Sequence, residues 1–545
     1  MPRFSNLFWS NLFLANPEFV RHRRAELRPV RAITVAVVVA VLCMLIGMAC
    51  WSSQQSMLEN TRRLAEMNRY DGNWQHRYEL AQAEFARHTW YLFFRWLVGI
   101  LGIALPFWTL FSCSQSVSGE RDRKTWDFQR TTRLSPSEIL IGKLMGEPVL
   151  MYFAALCAAP VALIAGLAGG VSFGTILSIF IFLAATSVML GLAGMWLSTL
   201  LESRTRGVGL ISALAVFGLT LAMYNMFESG LPGFAALSPL VASVDLMGAA
   251  ADSRLKDVSA VLFGHSIPWL LMGLLLSGSF SAWLALMLVR NLKSDYPDIR
   301  PLSRWQAIGC AAFLNFLIYA LLLPGTPRYL DIPGRVRGWF HDSGGVAVFA
   351  VGMNALILFL MGLATLTPHE RLKVWRRRRA SGQANLFADD GLPWPWLAIS
   401  AVVAYAFMVW GLLAWDHALP LDMHTLLTAA IRLLVVLVFV MRDVLFLQWC
   451  MLTRLRQPIV KGILFLGLYY VAAGVMIGLA SVSSRDAGYW MAALLMPVKA
   501  FDSDLSTAIS AATVAGVIVQ MIAISFVIVA VDSRLKRPLQ SGAAA

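Results

Sequence analysis

Blocks of about twenty apolar residues, each long enough to cross a hydrocarbon core of roughly 30 Å as a helix, alternate with short polar segments along the whole chain. The first six fall near residues 30–51, 90–113, 145–166, 173–201, 207–227 and 267–290. Six more follow near 305–323, 343–366, 396–415, 424–452, 458–480 and 508–531. A bilayer offers no water to an unpaired backbone group, so each block is expected to be a helix that satisfies its own N–H and C=O groups. The pattern predicts an all-α polytopic membrane protein with about twelve transmembrane helices.

The polar segments carry their own patterns. Residues 1–29 place Phe4, Leu7, Phe8, Leu12 and Phe13 amphipathically ahead of Asn16, Pro17 and the basic Arg21, Arg23, Arg24 and Arg28, which predicts an interfacial elbow helix. A polar, helix-prone segment runs up to His88, and a second polar segment runs from Ser114 to Lys143. Before the sixth block, Pro232, Pro239 and several glycines break a stretch apolar enough to dip into the membrane, and a re-entrant helical pair is expected there.

The second half repeats the first. Glu120-Arg121, Trp126 and then Arg204-Thr205-Arg206 correspond to Glu370-Arg371, Trp375 and then Arg454-Leu455-Arg456, with the same separation of about 84 residues. Leu237-Ser238-Pro239 with Ala242 and Asp245 matches Leu495-Met496-Pro497 with Ala500 and Asp504, allowing one residue of slip. Two parallel six-helix repeats, 30–300 and 301–545, are expected to be related by an axis along the membrane normal.

Composition excludes the other classes. Of 545 residues, 58% are hydrophobic and 14% charged, far from the roughly 25% charged fraction of a soluble domain. The net charge of +14 does not point to nucleic acid, because it is concentrated in alternate loops. With the N-terminus cytoplasmic, roughly 30 Lys and Arg fall on cytoplasmic segments and roughly 12 on the other side. Both termini are therefore expected in the cytoplasm of a cell (inner or plasma) membrane protein. Val30 to Trp51 is too long for the core of a cleavable signal and has an Arg-rich flank, so it is expected to be an uncleaved first span. Cys43, Cys50, Cys113, Cys157, Cys310 and Cys450 lie in or beside apolar blocks without a CxxC pair, and read as small core residues.

Catalytic motifs are missing. Gly142-Lys143 lacks both the earlier glycine and the following hydroxyl of a phosphate loop, so the chain is not expected to hydrolyse ATP. There is no HExxH, no GxSxG and no Cys/His cluster with metal-ligand spacing, and no metal or catalytic residue is assigned.

One segment carries more. Ser118-Gly119-Glu120-Arg121-Asp122-Arg123-Lys124-Thr125-Trp126-Asp127-Phe128 continues through Leu134-Ser135-Pro136-Ser137-Glu138 to Gly142-Lys143. It resembles the signature of type-two ABC exporter permeases, the membrane subunits of ATP-binding-cassette transporters. In that family an acidic-basic-acidic opening, a Thr before an apolar residue and an acid, a Ser/Pro turn and a terminal Gly-Lys lie between the second and third spans. Asp122 replaces the second Glu, Lys124 stands where the family usually has Gly, and Trp126 replaces Leu. The resemblance extends to the Asn16-Pro17-Glu18-Phe19 elbow, covers the first half well and the second weakly.

The resemblance implies a coupling helix that docks on cytosolic ABC ATPase subunits, two copies, with ATP and Mg on that partner and no cofactor in this chain. The coupling residues it implies are Glu120, Arg121, Arg123, Thr125, Trp126, Asp127, Pro136, Gly142 and Lys143, with Glu370, Arg371 and Trp375 in the second half. A short amphipathic helix with charges around an exposed Trp126 would offer an anchor with a charged rim. The expected function is the permease of an exporter working by alternating access. The alternative is an ion- or proton-coupled secondary transporter, since Gly119 to Arg123 resembles the loop of major facilitators, but without its second glycine or paired basic residues. Among intramembrane polar residues, Glu147, Arg432, Arg442 and Asp443 are candidates for a polar clamp or a substrate path. Arg442 and Asp443, adjacent on a helix, are expected to face partners on neighbouring helices and not each other.

Overall fold

The structure, a computed structural model, describes residues 16–67, 72–131, 133–200, 206–223, 236–240, 260–262, 265–292, 302–322, 343–385, 387–416, 423–453, 458–497 and 511–536. The amphipathic run Phe4 to Phe13, Arg204-Thr205, Arg454-Leu455-Arg456, and Ala242, Asp245, Ala500 and Asp504 lie outside these residues. So does most of the broken segment expected to be re-entrant.

Every apolar block forms a helix. The chain divides near residue 300 into two compact units. The first holds α1 (Pro17–Glu26), α2 (Pro29–Met67), α3 (Gly72–Asp122), α4 (Trp126–Thr131), α5 (Pro136–Gly146), α6 (Val149–Ala168), α7 (Phe173–Leu200), α8 (Arg206–Ala222) and α9 (Trp269–Asn291). Two three-residue strands, β1 (Ala260–Leu262) and β2 (His265–Ile267), pair just before α9. The second unit holds α10 (Arg304–Leu322), α11 (Ser343–Ala364), α12 (His369–Ala380), α13 (Trp394–Asp416), α14 (Met423–Met451), α15 (Pro458–Ser483), α16 (Arg485–Leu495) and α17 (Ala511–Lys536). Among the described residues nine helices are long and apolar enough to cross a membrane, ten if the bent pair α11 and α12 counts as one span. The protein is an all-α polytopic membrane protein in which the short hairpin is a local feature.

Two helices are much longer than a span. At about 1.5 Å per residue, the 39 residues of α2 and the 51 of α3 far exceed a core of roughly 30 Å. The polar segment up to His88 is thus a continuation of both spans. Its Glu, Gln, Arg, Ala and Leu are good helix formers with no proline to stop them. The two extensions pack together, with Trp51 and Phe85 edge to face at 5.0 Å.

Within each unit the spans meet in the same serial order. In the first, α2 packs on α3 and α6, α3 on α6 and α7, α6 on α7, and α7 on α8 and α9. In the second, α10 packs on α11 and α13, α11 on α13 and α14, α13 on α14, and α14 on α15 and α17. The units differ after their second span: α3 runs straight through Glu120 to Asp122, whereas α11 stops at Ala364 and α12 turns away by 79°.

Candidate functional site

Glu120 and Arg121 sit in the last turn of α3, which ends in a Schellman motif. The Thr125 N–H donates to the Glu120 carbonyl at 3.0 Å and the Lys124 N–H to the Arg121 carbonyl at 3.0 Å. Such a motif needs a left-handed residue, and Lys124 supplies it with φ of +58°. The glycine that the family usually has there would adopt it freely, while a lysine is strained by about 1–2 kcal/mol. Lys124→Gly is therefore expected to stabilise the fold by about 0.5–1 kcal/mol after the greater entropy of unfolded glycine is offset. Thermal unfolding in detergent checks this, with Lys124→Ala expected to give no gain.

The Ser/Pro turn has an equally local cause. Ser135 accepts from the Glu138 N–H at 3.2 Å and Glu138 accepts from the Ser135 N–H at 2.7 Å, a capping box with Pro136 in the first turn of α5. The elbow is built the same way. Asn16 caps α1 by accepting from the Glu18 N–H at 3.0 Å, and its amide donates to the Glu138 carbonyl at 2.7 Å. That second bond docks α1 on α5. Gly142 is what lets them touch: a Cβ there would lie 2.6 Å from Glu18 Cβ and 2.7 Å from Asn16 Oδ1, and at Gly146 one would lie 2.9 Å from His22 Cβ.

Charge closes the junction. Lys143, fully buried, holds Glu120 Oε2 at 2.6 Å and Glu18 Oε1 at 3.6 Å. Arg21 bridges the same two carboxylates, at 2.7 Å from Glu18 and 2.8 Å from Glu120. His22 Nε2 lies 3.3 Å from Glu18 and 3.8 Å from Glu147, the residue that caps the C-terminus of α5. Glu18, His22 and Glu120 present ligand atoms within 4.8 Å of one another, but Lys143 and Arg21 already neutralise those carboxylates and repel a metal ion. The terminal Gly-Lys therefore has a physical role here: the glycine admits the elbow and the lysine locks it to α3.

The carboxyls respond differently to burial. Burial opposes the ionisation of Glu18, yet the His22 hydrogen bond and the charges of Lys143, Arg21 and His22 outweigh it and hold the group below its ordinary value of 4.5. For Glu147 burial wins over His22 and Lys143, and the group is pushed up. A depressed carboxyl stabilises the fold above its unfolded value and loses that contribution as pH falls through the folded one. The Glu18 contribution is thus expected to disappear below pH 4.5, and Glu18→Gln to flatten a plot of unfolding temperature against pH in that range.

Trp126 corrects an expectation. It is not an exposed anchor for a partner: 5% exposed, it packs with Cys113, Val117, Ile139, Leu140 and Leu288, pinning α4 to α3, α5 and α9. Arg121 and Lys143 lie over its ring at 5.9 and 5.7 Å. Arg123, Thr125 and Asp127 remain on the outer face.

The second unit does not reproduce the junction. Glu370 is exposed in the first turn of α12, beyond the break after α11, so it occupies no position like that of buried Glu120. Arg371 is half-buried beside it. Trp375 is buried like Trp126, against Leu372, Leu452 and Val531, and donates to the Asn385 carbonyl at 3.1 Å. Buried Arg304 at the start of α10 ties this end together by donating to Thr367 Oγ1 at 2.7 Å and the Leu392 carbonyl at 2.8 Å.

Arg442 and Asp443 also depart from expectation. They pair directly, at 2.6 Å, because the long arginine side chain curls back to the neighbouring carboxylate. Arg442 also donates to Tyr469 at 3.0 Å, Tyr470 at 3.2 Å and Gln520 at 2.9 Å, and Tyr470 donates to Asp443. The Tyr469 hydroxyl and the Gln520 amide go on to satisfy the last carbonyls of α16 at Leu495 and Leu494, a clamp joining α14, α15, α16 and α17. Arg432 is buried on α14, two to three turns earlier.

Asn16, Glu18, Arg21 and His22 belong to the junction but not to the segment between the second and third spans that carries the signature. The Asn-Pro cap and the Glu18/Arg21/His22 helical spacing were visible, but not that they meet a carboxylate about a hundred residues away.

A family model described as ABC-2 family transporter protein matches residues 25–246. Neither the curated proteins nor the solved structures searched match the chain. The matched segment takes in α2 to α8, including Glu120, the capping box and Gly142-Lys143. This chain is thus a multi-pass membrane protein whose residues 25–246 match the model of the ABC-2 family transporter proteins.

Proposed function

We propose that the protein is the membrane permease of an ABC exporter, energised by separate cytosolic ATPase subunits and moving its cargo by alternating access. The observation that carries this reading is the buried Glu120–Lys143–Glu18–Arg21 junction. It makes the elbow, the end of a span and the segment after it one rigid piece, so a push on α4 and α5 is passed directly to α3 and α1. Arg123, Thr125 and Asp127 on its outer face are the contacts we assign to the ATPase, with Trp126 positioning them from within.

The common packing order of the two units supports two six-helix permease halves in one chain, 30–300 and 301–545, which would call for two ATPase copies. The basic residues of the elbow, of Arg121 to Lys124 and of Arg376 to Arg379 support a cytoplasmic location for these segments at the cell membrane. ATP and Mg then act on the partner alone.

Co-expression with its ATPase is expected to give a stable complex whose hydrolysis responds to cargo, with Arg123→Glu weakening assembly and leaving the unfolding temperature unchanged. The purified chain is expected to bind no ATP. Cargo movement by the chain alone down an imposed proton gradient in proteoliposomes would instead establish a carrier. Labelling of Ala380→Cys from outside intact cells by an impermeant reagent would overturn the orientation.

A further inference from the structure

A groove of about 480 Å³ opens in the first unit between α2, α3 and α6, within the range of roughly 300–1,000 Å³ of pockets that hold small ligands. Its walls include Met44, Gly47 and Trp51 of α2, Trp90 and Phe93 of α3, and Ile164 of α6. They are almost wholly carbon. The hydroxyl of Thr89 is spent on the Phe85 carbonyl at 2.7 Å, so the wall suits hydrocarbon.

Position along the spans says what fills it. The groove lies toward the end of α6 remote from the Glu120 junction: α6 starts at Val149 beside that junction and reaches Ile164 in its second-last turn, and α3 travels thirty residues from Trp90 to Glu120. Trp51 and Trp90, 50% and 43% exposed, mark the level where hydrocarbon gives way to headgroups. At that level stands Arg87, neighbour of the groove residue Ala86 and one turn from Trp90. A Cβ on Gly170 would lie 2.6 Å from Arg87 Nε, so the guanidinium rests against the loop that ends α6, at the groove's rim. Arg87 is exposed and forms no ion pair among the described residues.

We propose that this groove is a binding site for an anionic glycerophospholipid, with one acyl chain between α2, α3 and α6 and the phosphate on Arg87. Hydrocarbon walls below an interfacial cation match a chain below an anion, and a guanidinium pairs with phosphate through two parallel hydrogen bonds. The site is independent of the ATPase reading.

The test is native mass spectrometry of the full chain extracted from vesicles of equal phosphatidylglycerol and phosphatidylcholine. One phosphatidylglycerol is expected to be retained about tenfold over phosphatidylcholine. Gly47→Leu fills the groove without a backbone clash, since a Cβ there meets only the Phe93 ring at 3.8 Å, and is expected to remove that retention. Arg87→Glu is expected to abolish the preference for the anionic lipid. Equal retention of both lipids by the native chain, or unchanged retention by Gly47→Leu at an unaltered unfolding temperature, overturns the site. Should Gly47→Leu fail to fold, Cys43 in the groove wall decides. Added phosphatidylglycerol, and not phosphatidylcholine, is expected to slow its alkylation by a lipophilic maleimide, and equal rates overturn the proposal.

Discussion

Lys143→Met is expected to destabilise the protein by about 3–5 kcal/mol, the cost of removing the one buried cation between two buried carboxylates and leaving both to the half-exposed Arg21. Lys143 is wholly buried and Glu120 nearly so, and they stand 2.6 Å apart, so no solvent screens the loss. Glu120→Gln is expected to cost about as much, since it leaves the buried ammonium only the more distant Glu18 and withdraws one of the two carboxylates that Arg21 bridges. The double variant Glu120→Gln/Lys143→Met removes both charges. It is expected to be more stable than the sum of the single losses implies, with a coupling of about 0.5–3 kcal/mol. Unfolding temperatures of the three variants in one detergent give the cycle. Strict additivity would mean that the pair does not act as a unit and that the junction transmits nothing between α1, α3 and α5.

Trp126→Ala and Trp375→Ala are both expected to lower stability by about 3–5 kcal/mol, as large-to-small changes in a packed core do. The sequence alone suggested unequal effects, with Trp126 an exposed anchor for the ATPase and the second half a weaker copy. The structure buries both indoles, at 5% and 4% exposure, each in its own apolar cluster, so their losses of stability are expected to be alike. Trp126→Phe and Trp375→Phe are expected to recover most of the loss. If Trp126→Ala kept its unfolding temperature but lost ATPase binding, the indole would be a partner contact after all.

What could be read from residues followed short-range rules. Span positions come from runs of apolar residues, because a bilayer forces each run to satisfy its own backbone. The elbow cap at Asn16-Pro17 and the capping box at Ser135 and Glu138 are fixed by neighbours within three positions, and both formed as their sequences require. The length of α2 and α3 was less legible, since hydropathy stops at the membrane surface while helix propensity continues to Met67 and back from Gly72.

The sequence by itself determined an all-α membrane protein, where its apolar blocks lie, and which residues between the second and third spans resemble the permease signature. Only tertiary structure decided what those residues do. That Lys143 faces Glu120 and Glu18, that Gly142 is a contact surface for the elbow, that Trp126 turns inward and that Glu370 stays outside while Glu120 is buried depend on how distant helices approach. Periodicity says which side of a helix is apolar. It says nothing of which other helix will cover that side, and charges a hundred residues apart leave no pattern in the chain that joins them.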